Sequence, residues 1–436
     1  MGNILLRNVT LSSGRADIIV CEGKIARILP SSSVQDLFSR PDLSSLLTAG
    51  TEVTDCKGMR AVPGLLNLHT HAGMSLMRGM EEDAPLHSWL AKIWKIEENI
   101  DKQYVYWGTK VAAAEMIHTG TVAFNDLYWF PRSGMRAARE MGIRPAVTPV
   151  LLDRFDPAET LRQEELCERL YEDSESWDGA SIFNASFHAI YTVSEPLILW
   201  VGEFARKHGL RLHFHLSETR KEVEDCKKAH GGLSPVQYLD RLGILDERCI
   251  AAHCLWLSEE DVRILGERRV NCVHCVNSNA KLSSGYRFLY NELRDSGANV
   301  CIGTDGPASS NNLDILEAMK TSALFQKAWR DDPTALPLGE LLDMATVNGA
   351  MALGLNSGRI EEGYAADILL VDTDSTFFLS PGSFEANLIY SAHSDCINSV
   401  MVDGKWVMRG REIPGEEEIL QNAREMLRKI AKDNTL

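Results

Sequence analysis

The chain predicts an α/β fold, a (β/α)8 TIM barrel with a small β-sandwich that is formed from both chain termini. Three observations predict it. Short apolar runs alternate with helix-length amphipathic segments through the middle of the chain, both ends carry β-type sequence, and histidines recur where the predicted strands end. Strands that alternate with helices indicate a parallel sheet, and eight such units indicate a barrel.

Residues 1–61 are predicted to form the N-terminal part of the sandwich. Their short apolar runs are separated by turn residues such as Glu22-Gly23-Lys24. The polar segment Ser31–Thr48 predicts a loop. Strands are predicted at Ile4–Leu11, Asp17–Cys21, Lys24–Leu29 and Glu52–Asp55.

Residues 62–357 are predicted to form the barrel. The eight strands are predicted at Val62–Leu68, Thr121–Asn125, Pro145–Leu151, Ile182–Phe187, Leu210–Phe214, Cys249–Ala252, Val270–Val273 and Asn299–Ile302. Helices between them are predicted at Val105–His118, Pro196–Lys207, Ser258–Arg268 and Arg287–Ser296. Ser258 with Glu260 and Asp261 behind it is a typical helix start.

Residues 358–436 return to β-type sequence and are predicted to complete the sandwich. Strands are predicted at Asp367–Asp372, Val400–Val402 and Lys405–Met408, and a closing helix at Glu416–Lys432.

Composition narrows the class of protein. Of the 436 residues, 44% are hydrophobic and 24% charged, which is ordinary for a globular enzyme. The net charge of −16 argues against nucleic-acid binding. The first residues lack a secretory signal, no membrane-length apolar run follows, and the ten cysteines form no secreted framework. We therefore expect a cytoplasmic protein, and the sequence leaves a homo-oligomer open.

Histidines are the informative residues. Seven of the twelve fall at or just after the end of a predicted barrel strand: His69, His71, His188, His213, His215, His253 and His274. Asp305 follows the eighth strand. Because the carboxyl ends of the strands carry the chemistry of such barrels, we expect these side chains to converge on one face.

The pair His69-Thr70-His71 predicts a metal site, since residues i and i+2 of a strand point to the same side. Strand five supplies a third imidazole and Asp305 a carboxylate. Zn²⁺ suits this donor set, although imidazole does not exclude Fe²⁺ or Mn²⁺. No lysine lies at the end of strand four to carry a bridging carboxylate, because Lys207 belongs to the helix before strand five. One metal ion per chain is therefore expected.

Strand five offers both His213 and His215. We take His215 as the ligand because an acid follows it three residues later, in His215-Leu216-Ser217-Glu218. His213 is then a residue behind the ligands or in the core, and His213→Ala is expected to keep most of the metal and activity.

The ionisable residues nearest the predicted metal suggest the chemistry. Glu218 would accept a proton from a water whose pKa the metal lowers towards ~7. His253 would polarise that water or the developing charge. His274, at the end of strand seven, is assigned to supporting the site on its substrate side.

The motifs together resemble a known family. Pro63-Gly64-Leu65-Leu66-Asn67-Leu68-His69-Thr70-His71, His215-Leu216-Ser217-Glu218, Ala252-His253-Cys254 and Gly303-Thr304-Asp305-Gly306 are similar to the amidohydrolase superfamily. Within it, the chain resembles the methylthioadenosine/S-adenosylhomocysteine deaminase branch, near the triazine hydrolases and guanine deaminases. The segment from Gly358 to Asp367 also matches, so the resemblance covers essentially the whole chain.

The resemblance implies a role for each site residue. Metal would be held by His69, His71, His215 and Asp305, with Glu218, His253 and Asp305 as catalytic residues. It further implies that Glu97 binds the ribose hydroxyls and that His188 binds the base. The chain departs from the branch in Ser186–Tyr191, which lacks two usual prolines, and in Thr148-Pro149-Val150, where an arginine for a homocysteine carboxylate is missing. Arg154 and Arg162 remain as substitutes.

The resemblance implies metal-dependent deamination of an adenosine-like nucleoside, such as adenosine or 5′-methylthioadenosine, to the inosine analogue and ammonia. S-adenosylhomocysteine is left open. The alternatives are deamination of guanine, pterin or another aminated heterocycle, a triazine-type hydrolase, a binuclear cyclic-amide hydrolase, and a non-catalytic metal scaffold. A dinucleotide enzyme is disfavoured because no G-x-G-x-x-G opens a helix.

Overall fold

The computed structural model describes residues 2–434, and strands lie at both ends of the chain and between helices in its middle. The strands, numbered along the chain, are β1 (Ile4–Leu11), β2 (Gly14–Cys21), β3 (Lys24–Pro30), β4 (Glu52–Asp55), β5 (Met59–Pro63), β6 (Leu65–Thr70), β7 (Thr121–Leu127), β8 (Arg144–Thr148), β9 (Ile182–Phe183), β10 (Ala185–Ser186), β11 (Leu212–Leu216), β12 (Cys249–His253), β13 (Asn271–His274), β14 (Asn299–Ile302), β15 (Ile368–Asp372), β16 (Ile397–Val402) and β17 (Lys405–Met408).

The helices are numbered in the same way. They are α1 (Val34–Ser39), α2 (Leu86–Glu97), α3 (Lys102–His118), α4 (Pro131–Met141), α5 (Pro157–Ser174), α6 (Glu195–His208), α7 (Arg220–Ala229), α8 (Pro235–Arg241), α9 (Glu259–Glu267), α10 (Val276–Lys281), α11 (Tyr290–Ser296), α12 (Ile315–Arg330), α13 (Leu338–Ala345), α14 (Val347–Leu353), α15 (Phe384–Ala386) and α16 (Glu416–Asn434). Short 3-10 turns lie at Pro41–Leu43, Ala72–Met77, Thr376–Phe378 and Ser394–Cys396, and a π-helical turn at Asn387–Ser391.

The middle of the chain folds into parallel strands that alternate with helices. Within the described residues these strands form two arcs, one of β6 to β9 and one of β10 to β14, each in chain order. The predicted fourth strand is divided between the arcs at Asn184, whose N–H donates to Val147 O at 3.0 Å. At the other junction Asp305 N–H donates to His69 O at 2.9 Å. This is the mixed α/β arrangement that the alternation predicts.

Several predicted strand boundaries are wrong, most clearly those of the first and fifth barrel strands. The predicted first strand, Val62–Leu68, covers the end of β5, which pairs antiparallel with β15, and the start of β6. The predicted fifth strand begins two residues early because Gly209 ends α6 in a left-handed conformation, and Leu210 N–H still donates to Ala205 O. A glycine C-cap of this kind keeps the next residue in the helix terminus.

Strands from both ends of the chain share one sheet. In the described part of the chain its order is β17-β16-β15-β5-β1-β2-β3, with β4 paired to β1. The predicted loop Ser31–Thr48 is wrong in part, because it contains α1, which Ser33 caps. Its buried Leu37, Leu43 and Leu47 cover the face of the sheet that carries Leu5 and Ile19. Their burial explains why this polar segment is ordered into a helix.

The terminal sheet is fastened to the parallel strands by a buried ion pair. Arg144, at the start of β8, contacts Asp367 and also lies 2.6 Å from Asp403. The side chain of Arg144 is 5% exposed, so removing one partner would leave a buried charge without a counter-ion. At the end of the chain, α16 packs on α3, with His118 Nε2 2.9 Å from Glu416. Over the described residues, the helices are all too short or too polar to cross a membrane.

Candidate metal and catalytic site

Most of the predicted site residues meet at one cavity at the carboxyl ends of the parallel strands. His71, His188, His215, Glu218, His253 and Asp305 line this cavity, together with Glu97 from α2. His69 is completely buried and lies beside His71 and Asp305. The convergence follows from the parallel strands, whose carboxyl ends all face the same way.

Five of these residues form two overlapping groups of metal-type ligand atoms, which share His69. Atoms of His69, His71 and His215 lie within 4.8 Å of one another, and so do atoms of His69, His253 and Asp305. Asp305 Oδ1 is 3.3 Å from His69 Nε2 and 3.2 Å from His71 Nε2. Two imidazoles and one carboxylate therefore point at a common centre.

Hydrogen bonds fix which ring nitrogen of each histidine is free. His71 Nδ1 lies 2.5 Å from Leu127 O, and His215 Nδ1 lies 2.7 Å from His188 O. A carbonyl oxygen can only accept, so Nδ1 carries the hydrogen in both rings and a neutral ring has a lone pair at Nε2. Hydrogen bonds of this kind from the far ring nitrogen orient imidazole ligands towards a metal.

His213 orients His69 in the same way, by a hydrogen bond with its Nδ1. His213 Nδ1 lies 2.9 Å from Ile250 O, and its Nε2 lies 2.8 Å from His69 Nδ1. Burial lowers the pKa of both rings, that of His69 to about 4, so each is neutral and has one hydrogen. His213 therefore donates to Ile250 O and accepts from His69, which leaves a lone pair at His69 Nε2. We revise the expectation that His213 can be removed at little cost.

A divalent cation fits this arrangement. The buried His69 Nε2 has no hydrogen-bond partner among the described residues, and its lone pair faces the negative Asp305 Oδ1. A cation near both removes the repulsion between that lone pair and the carboxylate oxygen. Although burial lowers it, the Asp305 carboxylate raises the pKa of His71 to about 9, so a proton on His71 supplies this charge and a metal ion would replace it. Nitrogen and oxygen donors of this kind suit zinc.

The glycines of Gly303-Thr304-Asp305-Gly306 allow β14 to approach β6. A Cβ on Gly303 would lie 2.8 Å from His69 N, and one on Gly306 would lie 2.8 Å from Met74 Sδ. Asp305 itself has φ +66°, in the left-handed region that costs a non-glycine residue about 1–3 kcal/mol. Gly306 N–H and Ser278 Oγ–H, at 2.7 and 2.6 Å, hold its carboxylate in place.

Glu218 and His253 lie side by side in the cavity wall. Glu218 Oε2 is 3.7 Å from His253 Nε2, and its Oε1 accepts a hydrogen bond from Ser284 Oγ at 3.2 Å. Burial raises the pKa of Glu218 to about 8 and lowers the pKa of His253 to about 4. A carboxyl with a raised pKa beside a neutral imidazole can take up and release a proton near neutral pH.

Glu97 and His188 lie on the other side of the cavity. Glu97 Oε2 accepts from Trp129 Nε1 at 3.0 Å, whereas the buried Oε1 has no partner within residues 2–434. Burial raises the pKa of Glu97. His188 has its Nδ1 2.8 Å from Thr192 Oγ1, and burial lowers its pKa to about 3. Glu97 Oε1 can thus accept hydrogen bonds from a bound molecule.

His274 is placed differently from the sequence expectation. Its ring stacks on Phe288 at 4.2 Å, its Nδ1 lies 3.2 Å from Ser322 Oγ, and it is not part of the cavity lining. The position behind the wall does not favour the direct substrate contact assigned to it.

Sequence reasoning missed the supporting residues Ser278, Asn279 and Ser284. Asn279 Nδ2 lies 2.9 Å from His253 Nδ1. All three belong to the segment from α10 onwards, and their types are common in turns. No spacing or residue pattern ties them to Asp305, His253 or Glu218.

The two substitute arginines are in different surroundings. The Arg154 guanidinium lies 5.6 Å from the ring of Trp94, which lines the cavity. Arg162 pairs with Glu159 on the surface of α5. Arg154 is therefore the one of the two beside the cavity.

Comparison with known proteins settles the family. The model of the amidohydrolase family matches residues 60–407, which includes the strands that carry the cavity.

The chain belongs to the amidohydrolase family.

Relatives agree with this assignment and with the resemblance seen in the motifs. The chain is 42% identical over 375 residues to a 5′-deoxyadenosine deaminase of Methanospirillum hungatei, covering 86% of this chain and 83% of the relative. It is 42% identical over 382 residues to 5-methylthioadenosine/S-adenosylhomocysteine deaminase 1 of Archaeoglobus fulgidus, covering 87% and 90%. The crystal structure of an adenosine deaminase from Xanthomonas campestris with bound zinc superposes with a TM-score of 0.88 at 30% identity, covering 99% and 98%.

Proposed function

We propose that this amidohydrolase is a zinc-dependent deaminase that converts an adenosine-like nucleoside to the inosine analogue and ammonia. The observation that carries the proposal is the shared cavity. It brings His71, His215 and Asp305, with the buried His69 beside them, together with Glu218. Glu97, whose Oε1 has no hydrogen-bond partner among the described residues, lines the same cavity. The deaminase names of relatives at 42% identity and the zinc in the Xanthomonas structure support it.

One divalent ion would be held by His69, His71, His215 and Asp305. When bound, it supplies the Lewis acidity that makes water a nucleophile at neutral pH. Glu218 accepts a proton from the water that attacks the ring carbon bearing the amino group, and passes it to the ring nitrogen next to that carbon. The second proton of that oxygen goes to the amino group, the carbon–nitrogen bond breaks, and ammonia leaves. His253 lies close enough to Glu218 to donate a hydrogen bond to the incoming oxygen, and its neutral state leaves it one ring hydrogen.

Discrimination between nucleosides and free bases falls to Glu97 and His188. A carboxylate can accept hydrogen bonds from both ribose hydroxyls, and Glu97 Oε1 is buried and unpaired in the described structure. Such charge-assisted bonds contribute about 1.5–3 kcal/mol each, and a site built for them rejects analogues that lack the hydroxyls. His188, which lines the cavity near His215, is the residue for the base.

Acceptance of S-adenosylhomocysteine rests on Arg154. The position of the missing arginine, Pro149, offers no charge. Arg154, 5.6 Å from the ring of Trp94, is a cation beside the cavity rim that could pair with a carboxylate. We therefore assign it to the outer part of a 5′-substituted nucleoside.

Three broader assignments belong to the same proposal. The two parallel arcs close into a (β/α)8 barrel over residues 62–357, supported by the Asp305-to-His69 backbone hydrogen bond. Residues 1–61 and 358–436 form a sandwich, supported by an inner core that combines β1 and β2 with β15 and β16. A cytoplasmic location is supported by the ten cysteines, all free in the described chain and nine of them buried.

The test is the rate of ammonia release from a panel of purines. Adenosine and 5′-methylthioadenosine should react far faster than adenine or 2′,3′-dideoxyadenosine, because the last two lack the hydroxyls for Glu97. Faster turnover of guanine than of every nucleoside would overturn the proposal.

A further inference from the structure

The turn that carries Glu218 is hydrogen-bonded by a second buried glutamate, which lies outside the cavity lining. Glu222, in the first turn of α7, is 3% exposed. Its Oε1 accepts from Ser217 N–H at 2.9 Å, and its Oε2 accepts from Glu218 N–H at 2.7 Å. The two carboxylate oxygens therefore hold the backbone of Glu218, the proposed proton carrier, and of Ser217 before it.

The conformation of Ser217 directs both N–H groups towards the Glu222 carboxylate. Ser217 has φ +50°, a left-handed conformation, and successive N–H groups around such a residue can converge on one anion. Its carbonyl is held as well, by Leu255 N–H at 3.1 Å and Trp256 N–H at 2.9 Å. The strained turn is thus fixed on its donor side by Glu222 and on its acceptor side by the segment after β12.

Glu222 does more than cap its helix. The cap of α7 is Thr219, whose side chain accepts from Glu222 N–H at 3.1 Å. In a capping box the glutamate at this position returns to the N–H of the capping residue. Here it bonds instead to the N–H groups of Glu218 and Ser217, one and two residues before the capping residue. The carboxylate therefore contributes to the catalytic turn in addition to the helix start.

A purely structural residue at this position need not be ionisable. Burial raises the pKa of Glu222 to about 8, and the nearby Glu218 carboxylate acts in the same direction. Placing a second acid there is unfavourable unless its hydrogen bonds compensate. The two backbone N–H groups provide that compensation, and both belong to the turn that positions Glu218.

We propose that Glu222 is a positioning residue, which holds the Glu218 turn so that the Glu218 carboxylate stays in line with the cavity. The inference rests on the proposed function, since it assigns the support of that reaction's proton carrier. A displacement of about 1 Å at a reacting group can cost about 100-fold in rate. Glu222 should therefore affect turnover and leave substrate binding and the metal in place.

The test combines kinetics with hydrogen exchange on the zinc-loaded enzyme. Glu222→Ala should lower kcat on adenosine about 10- to 100-fold, with KM within about twofold and metal content unchanged. Glu222→Gln keeps one acceptor oxygen and should lose less. The matched control is Glu224→Gln, an exposed glutamate of the same helix, which should behave as wild type.

A double-mutant cycle separates positioning from general stability. In a Glu218→Gln background, Glu222→Gln should cost no more than about twofold further in kcat, because residues that act as a unit are not additive. Equal losses in both backgrounds would overturn the proposal. So would a Glu222→Gln enzyme with wild-type kcat.

An activity-independent measurement keeps this inference distinct from the proposed function. Of the two amides, Ser217 and Glu218, the one that loses its carboxylate acceptor should exchange with deuterium about tenfold faster in Glu222→Gln than in wild type or Glu224→Gln. Unchanged protection of both amides would show that Glu222 does not hold the turn, and would overturn the proposal. If the wild-type enzyme deaminates no nucleoside and amide protection is still lost in Glu222→Gln, the proposed reaction is refuted. The role of Glu222 in holding the turn is then retained.

Discussion

His213 provides the sharpest prediction because the expected loss can be worked out from two hydrogen bonds. His213→Ala removes the acceptor 2.8 Å from His69 Nδ1 and the donor 2.9 Å from Ile250 O. Two completely buried groups are then unpaired, at about 1–3 kcal/mol each, so folding should weaken by about 2–6 kcal/mol. His69 also loses the partner that keeps its Nε2 free for the metal. Loss of such support typically lowers metal affinity about 10- to 100-fold.

The assay is a competition of the protein with a chelator for Zn²⁺. His213→Ala should bind zinc about 10- to 100-fold more weakly than wild type. His213→Gln should recover most of the affinity, because a carboxamide can accept from His69 and donate to Ile250 O at once. His208→Ala, a histidine at the end of α6, is the control. A folded His213→Ala protein with wild-type zinc affinity would refute the reasoning.

Three further predictions concern the catalytic and substrate residues. Glu218→Gln should keep its metal and KM while kcat falls about 10²–10⁴-fold, because an amide cannot take up the proton; near-native turnover would move that role to His253. The pKa of Glu97 is raised, so the folded protein holds this proton more tightly than the unfolded chain does, and stability falls as pH rises through the window above the usual value of 4.5. Glu97→Gln should therefore raise Tm at pH 8. The variant should also have a higher KM for adenosine, and this KM should no longer increase towards acid pH as the wild-type KM does. An unchanged KM would contradict the ribose contact. Arg154→Gln should lower kcat/KM about tenfold for S-adenosylhomocysteine and leave 5′-methylthioadenosine unaffected, since only the former has a carboxylate to pair; equal losses on both substrates would exclude that pairing.

Residue types and spacing predicted the part of the site that depends on chemistry. His69 and His71 on one strand, and Glu218 three residues after His215, can be recognised because strand geometry ties their spacing to a direction. The division of the predicted first strand at Gly64 could not be found in this way. Its two halves are both apolar, and only the pairing of β5 with β15, more than 300 residues along the chain, separates them.

The supporting residues were harder to predict for the same reason. His213 was recognised as lying behind the ligands, but its contact with His69 links residues 144 positions apart. His274 ends a strand as the ligands do, yet Phe288 and Ser322 hold it behind the wall. A strand end places a residue at the carboxyl edge of the parallel strands, and the neighbouring helices decide whether it enters the cavity.

The central claim is that one metal ion, held by His69, His71, His215 and Asp305, supports deamination of a nucleoside. The most direct test is to add Zn²⁺ stepwise to metal-free protein and to measure ammonia release from adenosine at each step. The rate should rise in proportion to added zinc and level off at one equivalent per chain, and His215→Ala should stay inactive throughout. A plateau at two equivalents, or a rate that is independent of zinc, would contradict the account.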